Sequence, residues 1–327
     1  MPVTRPAPRI AAGIIVLGAL ALAGCGGSDD EGNTAQAAPD ASSFPAPDNR
    51  SLQQFLETEA DAEGPVISPT GQVFAKGADR YGFGVFTLGN EQISDAEVAI
   101  YAAPGKDGKV QGPYPARVES LEVEPAYQSR TTSDDPDSAQ VVYVADIPFD
   151  QEGEWRIGAL TRDGDSLQGS LAPSSVVGKA DAIPQPGDKA PVVHTDTAED
   201  VGGNLEKIDT RLPPGTMHAD DLADVAGKEP TVLLFATPAL CQSRVCGPVV
   251  DVTEEVKAEY GDRAAFIHQE IYEDNSIDKG LRSQVEAFGL PTEPWLFVLD
   301  ENGRVSTEIE GAFSADELRQ ALDKVTQ

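Results

Sequence analysis

The chain has 327 residues, enough for two domains of ordinary size. Its 55 acidic and 24 basic side chains leave a formal net charge of −31. That balance argues against nucleic acid as a partner, because phosphate binding needs Lys and Arg to displace counterions. It also argues against docking on anionic lipid through a basic patch.

At the amino terminus, Arg5 and Arg9 precede an apolar run over residues 10–23. The run is too short to span a bilayer and has the anatomy of a secretory signal. It ends in Leu22-Ala23-Gly24-Cys25, followed by Gly26-Gly27-Ser28-Asp29-Asp30. These residues resemble a bacterial lipobox. The resemblance implies a signal peptide over 1–24, lipidation of Cys25 and a membrane anchor on the extracytoplasmic face, where disulfides persist. Residues 25–50, rich in Gly, Ser, Ala, Pro and Asp, read as a flexible tether. Near its end, residues 51–59 predict a short helix with Leu52, Phe55 and Leu56 on one face.

Residues 65–177 read as all-β. Short apolar runs at 81–88, 97–103, 140–147 and 154–160 alternate with turn clusters at 88–90, 104–108 and 163–165. This spacing predicts a β-sandwich and resembles bacterial immunoglobulin-like modules. The segment has no Cys and no His, so its aromatic residues Tyr81, Phe83, Tyr101 and Trp155 read as core. The acidic stretch 131–138 reads as a solvated insertion. A linker rich in Pro and Gly follows at 178–188.

From 189 to 327 strand and helix alternate. TVLLF at 231–235 is a continuous apolar strand suited to a buried central position. A helix over 247–260 carries the stripe Val249, Val252, Val256 and Tyr260 and stops at Gly261. A strand at 264–272, a helix from Asp278 to about Phe288, and a hairpin of 295–299 with 305–310 come next. A last helix opens on the capping box Ser314 to Glu317.

The loop between the first strand and its helix holds Cys241 and Cys246, a C-x4-C pair. With Cys25 lipidated, these two thiols can pair only with each other or with a partner. Four stretches resemble the thioredoxin-like family: Pro186-Gly187-Asp188-Lys189-Ala190-Pro191, Cys246-Gly247-Pro248, Thr292-Glu293-Pro294-Trp295, and the hairpin 297–304. The resemblance covers somewhat under half the chain. It implies an α/β domain over 189–327 behind the immunoglobulin-like sandwich, a multidomain architecture. It also implies a cis-proline at Pro294 beside the cysteines. Cys246, at the mouth of a helix, is expected to ionise and attack. Cys241 would resolve, and Arg244 would favour the thiolate. Glu293 would either raise the thiol pKa or accept its proton. The sequence departs from the family in two places. Val249 stands where the second cysteine of C-x-x-C belongs, and Leu234 falls near the family's buried acid.

Three readings of the pair stay open. The first is an extracytoplasmic thiol–disulfide oxidoreductase acting on a protein thiol or disulfide partner, with no cofactor. The second is a structural disulfide on a binding lipoprotein, where closing a loop of about six residues contributes roughly 2 kcal/mol. The third is copper held by Cys241, Cys246 and His268, with Met217-His218 as another soft-donor candidate. The peroxide-activating Thr-x-x-Cys of peroxiredoxins is absent, since Ser243 stands in the Thr position.

Overall fold

The computed structural model describes residues 1–2, 35–178 and 182–326. The leader and Cys25 lie outside the described residues. Among those described, no helix is long and apolar enough to cross a membrane.

Two sheets face each other in the first half. One is antiparallel, in the order β2 (Val66–Pro69), β4 (Gly77–Phe86), β8 (Val141–Phe149), β7 (Arg117–Ser120). The other runs β1 (Ala62–Glu63), β10 (Ser166–Val177), β9 (Gly153–Asp163), β5 (Val98–Pro104), β6 (Gln111–Pro115), with β3 (Val73–Phe74) also on β10. Their facing side chains make one core, with Tyr81, Phe83 and Tyr143 from the first sheet and Ile100, Trp155 and Ile157 from the second. Rings meet across it: Phe149 stands edge-on to Trp155 at 5.1 Å. Two facing sheets are present as expected: β4, β5, β8 and β9 fall on the predicted runs, and β10 is among the strands not predicted. That strand escaped a period-2 reading because only one face is buried, and that face carries the polar Ser170 and Ser175.

Helix α1 (Leu52–Glu59) forms where the apolar stripe predicts it, capped reciprocally by Ser51 and Gln54. Its Leu52, Phe55 and Leu56 bury against Ala99, Tyr101 and Leu160, the outer face of the second sheet. The tether expected to reach residue 50 is docked well before that point. Gln36 exchanges backbone hydrogen bonds with Val118 at 2.9 Å, and Phe44 is buried under Arg162. Backbone pairing at Gln36, burial of Phe44 and the Tyr101 hydroxyl donating to the Pro45 carbonyl at 2.7 Å together hold a segment that composition marks as disordered.

The second half is a four-stranded sheet in the order β12 (Ala265–Gln269), β11 (Thr231–Phe235), β13 (Trp295–Leu299), β14 (Val305–Glu310). β11 is parallel to β12 and antiparallel to β13. β11 is apolar throughout because both its faces are covered. Val232 and Leu234 meet α4 (Cys246–Tyr260) and α6 (Ala315–Asp323), while Leu233 and Phe235 meet α3 (Leu222–Val225) and α5 (Ser283–Ala287). The helix expected from Asp278 is broken. Only the turn Ile277–Lys279 and then α5 form, because Gly280 sits at φ +87 between them. β12 is also shorter than expected: it ends at Gln269, where the chain turns into the site described below.

The two halves share a core, and the described residues from Ala35 onward form one compact unit. The cause lies in β8, whose Val141, Tyr143 and Ala145 face the sandwich while Val142 and Val144 face α4 and α6. An ion cluster locks the same interface. Arg80 of β4 makes two hydrogen bonds to Glu317 of α6, at 2.7 and 2.8 Å, and one to the Ala312 carbonyl at 2.7 Å. Arg117 adds a third bond to Glu317 at 3.0 Å.

Burial opposes ionisation of Glu317, but the two guanidinium groups overcome this and hold its pKa below the ordinary value of 4.5. The stability it contributes is therefore present above about pH 4.5 and lost as pH falls through the lowered pKa. Glu317→Ala is expected to cost about 3–5 kcal/mol in urea unfolding at pH 7, because it strands two cations at a buried interface. An effect below about 1 kcal/mol would mean the cluster is solvent-screened.

Candidate active site

β11 ends at Phe235, and the chain leaves it through Ala236 and Thr237 into the cysteine loop. The loop is held from below. Cys241 N–H donates to the Thr237 carbonyl at 3.1 Å, and Ala239 N–H donates to Thr210 Oγ1 at 3.0 Å. The loop closes with a disulfide between Cys241 and Cys246, Cα atoms 6.0 Å apart. Cys246 is the first residue of α4, preceded by Val245, which makes no side-chain cap. Pro248 falls in the first turn, where a missing N–H costs nothing.

The two sulfurs are unequal. Cys246 has no exposed surface, whereas Cys241 is partly exposed and lies 3.2 Å from the Ser243 hydroxyl. Cys241, expected to resolve, is thus the more accessible sulfur, and Cys246, expected to attack, the enclosed one. The acidic stretch is part solvated and part docked: Ser133, Asp134, Pro136 and Asp137 are exposed, while its start lies in α2 (Arg130–Ser133), which packs on α4. Ser129 donates its N–H and its hydroxyl to Asp251 at 3.0 and 3.1 Å. Buried Arg211 ties Asp251, at 2.8 Å, to the Tyr127 carbonyl, at 2.7 Å. Gly247 leaves room for Thr132, whose Oγ1 would stand 2.9 Å from any Cβ placed there.

Arg244 also differs from expectation. It is exposed and ion-paired with Asp137 and, at 3.6 Å, with Asp135 of the same acidic stretch. Its charge is thus engaged by the sandwich, not by a sulfur. These pairs, with the Ala139 N–H that donates to its carbonyl, hold Arg244 in a left-handed backbone, φ 59. That conformation costs a non-glycine residue roughly 1 kcal/mol.

Glu293 does reach the cysteines. A carboxylate oxygen of Glu293 and both sulfurs lie within 4.8 Å of one another. The Glu293–Pro294 peptide is cis and Pro294 is buried. Burial pushes the Glu293 pKa up to about 7; Glu270 adds repulsion, and a hydrogen bond from Tyr272 opposes the rise. Beside it lies a cleft of about 310 Å³ lined by Gln242, Ser243, Tyr272, Leu281, Thr292 and Glu293. A second cleft of about 600 Å³, on the other side of the loop, runs from Ser243 and Arg244 to Phe86, Leu88 and Gln140 of the sandwich.

His268 is not brought to the sulfurs. It lies on β12 with Asp209 and His218, all three buried, and its Nε2–H donates to the Ala236 carbonyl at 3.0 Å. The third neighbour of the cysteine pair is a carboxylate. The sequence reading missed Asp209, Glu270, Asp251 and Arg211. None carries a local motif: Asp251 lies within α4, and Asp209, Arg211 and Glu270 are placed by loops whose path composition does not reveal.

No family model matches the chain, and no curated protein matches it. Among solved structures, one described as a thiol:disulfide interchange protein DsbE from Chlorobium tepidum aligns at 17% identity and a TM-score of 0.31, over 44% of this chain and 99% of that one. A second, a thioredoxin family thiol:disulfide interchange protein from Chlorobium tepidum TLS, aligns at 16% and 0.30, over 44% and 98%. Likenesses this distant carry no argument about activity.

The raised pKa of Glu293 has a stability consequence of definite sign. Its folded pKa of about 7 exceeds the ordinary 4.5, so the folded state favours the protonated acid. The corresponding stability is fully present below about pH 4.5 and declines as pH rises through about 7. Glu293→Gln is expected to lose a smaller part of its Tm between pH 5 and pH 8 than the parent does. Equal losses in both proteins would show that the carboxyl titrates normally.

Proposed function

We propose that this chain is a lipid-anchored, extracytoplasmic thiol–disulfide oxidoreductase whose thioredoxin-like half works through the Cys241–Cys246 disulfide. The observation that carries the reading is the asymmetric pair: one sulfur partly open beside a cleft, the other buried at a helix N-terminus, and a protonatable carboxyl next to both. The anchor rests on the lipobox pattern at Cys25. The sandwich is proposed to be immunoglobulin-like, which its strand order supports: β2-β4-β8-β7 faces β6-β5-β9-β10, the ABED and C′CFG arrangement.

The exchange follows from exposure. A partner thiolate attacks Cys241 Sγ, the S–S bond breaks, and its electron pair leaves on Cys246. The positive end of α4 favours that thiolate, and the neutral Glu293 acid below pH 7 can protonate it. A second partner thiol then attacks the partner sulfur of the mixed disulfide and expels Cys241 as a thiolate. The partner is oxidised and the chain holds two thiols. In the reverse direction Cys241 attacks a partner disulfide and Cys246 resolves the adduct. Cys241 carries the mixed disulfide either way, the opposite of the assignment that helix position alone suggests.

The test uses single-cysteine variants. Cys246→Ser should keep a reactive Cys241 and accumulate a mixed disulfide with a thiol-bearing protein substrate. Cys241→Ser should leave a thiol that reacts with an aromatic disulfide reagent at least about tenfold more slowly. Both should abolish insulin reduction. A parent disulfide that resists millimolar dithiothreitol in the folded state would overturn the redox reading and assign the pair to structure.

Glu293 has a separate readout. The rate at which a small thiol reduces the disulfide should show an inflection near pH 7 that disappears in Glu293→Gln, with a loss of at least about tenfold at pH 6. An unchanged profile would remove Glu293 from the mechanism.

A further inference from the structure

Asp209, His218 and His268 come from three separate segments and meet under the cysteine loop. All three are at most 2% exposed. The His268 N–H on the backbone donates to the Met217 carbonyl at 2.9 Å, which sets His218 beside His268, ring centroids 5.4 Å apart. One donor atom from each of the three side chains lies within 4.8 Å of the others.

The hydrogen bonding leaves this cluster one cation short. The Ala236 carbonyl can only accept, so His268 Nε2 carries a proton. The remaining nitrogen, Nδ1, faces Asp209 Oδ1 at 3.7 Å and has no hydrogen-bond partner. That gap is too long for a charge-assisted hydrogen bond, which runs about 2.7–2.9 Å. His218 Nε2 lies 3.0 Å from Asp209 Oδ2. Around a tetrahedral ion with ligands at about 2.0–2.1 Å, donor atoms stand about 3.3 Å apart, and the two measured gaps bracket that spacing. The carboxylate is already oriented, accepting the N–H groups of Arg211 at 2.8 Å and Gly215 at 2.6 Å. A ligating imidazole whose other nitrogen donates to a backbone carbonyl is the usual outer-shell arrangement of a metal site. Nearby, Glu270 is fully buried and its Oε2 has no hydrogen-bond partner.

We propose that Asp209, His218 and His268 form a buried site for a divalent cation of the zinc class. Two imidazoles and a carboxylate suit such an ion better than Cu(I), which prefers sulfur, or Ca²⁺, which prefers oxygen. The site is distinct from the cysteine pair and independent of its redox role. An ion there would pin the loop carrying Asp209 and Thr210 to β12, and Thr210 holds the cysteine loop through Ala239.

The test uses the full chain with its disulfide oxidised, refolded with excess Zn²⁺ or Co²⁺ and then desalted. The expected result is about one equivalent of metal per chain. The Co²⁺ form should show d–d bands without a thiolate charge-transfer band. The Cys241→Ser/Cys246→Ser double variant should retain the metal, while His218→Ala and His268→Ala should each lose it. The Co²⁺ spectrum of the parent keeps the test decisive if a His variant fails to fold. Less than roughly a tenth of an equivalent in the parent, or loss of metal only with the cysteines, would overturn the proposal.

Discussion

Strand β8 is apolar on both faces, and the rest of the molecule is arranged around that fact. A strand buried on two sides cannot lie at the outside of a sandwich, so its outer face must be covered. Val142 and Val144 find that cover in α4 and α6. Because α4 begins with Cys246, the same contact decides where the disulfide sits and how much of it solvent reaches. Sandwich and α/β layer are thus packed as one compact unit. One is the wall against which the other is built.

An acid-rich chain can bury carboxylates only where something compensates them. At the interface the compensation is cationic: Arg211 holds Asp251, while Arg80 and Arg117 hold Glu317. At Glu317 the two guanidinium groups hold the pKa below its ordinary value. Around the cysteines the pattern changes. Burial pushes up the pKa of half-buried Glu293 and of buried Glu270, with His268 opposing the rise at Glu270. The contrast separates carboxylates held charged by arginine from carboxylates whose protonation burial favours, and the second kind occurs also at Glu308 and Glu310 of β14.

The cysteine pair shows how packing reassigns chemistry. Judged by the helix dipole alone, Cys246 is the better thiolate and so the nucleophile. Packing leaves it no exposed surface. Under the proposed exchange its anion would be the leaving group, and the partly open Cys241 would meet the partner. Ser129 and Thr132, which pack at the mouth of α4, lie more than a hundred residues from Asp251 in the chain and form no local motif with the cysteines.

The strand–helix order of the second half, the stripe of α4, the caps of α1 and α6 and the identity of the reactive pair were all legible in the amino-acid sequence. Each is a local pattern: apolar period, turn chemistry, a capping box, a C-x4-C spacing. The proximity of Glu293 to the sulfurs was legible too, through its place before Pro294. Tertiary structure alone decided which sulfur is exposed, that Arg244 belongs to Asp135 and Asp137, that the acidic stretch docks in part on α4, and that His268 joins Asp209 and His218. These depend on which surfaces meet across more than a hundred residues of chain. Local periodicity carries no record of such pairings, because a buried carboxylate and an exposed one are the same letter until a neighbour arrives.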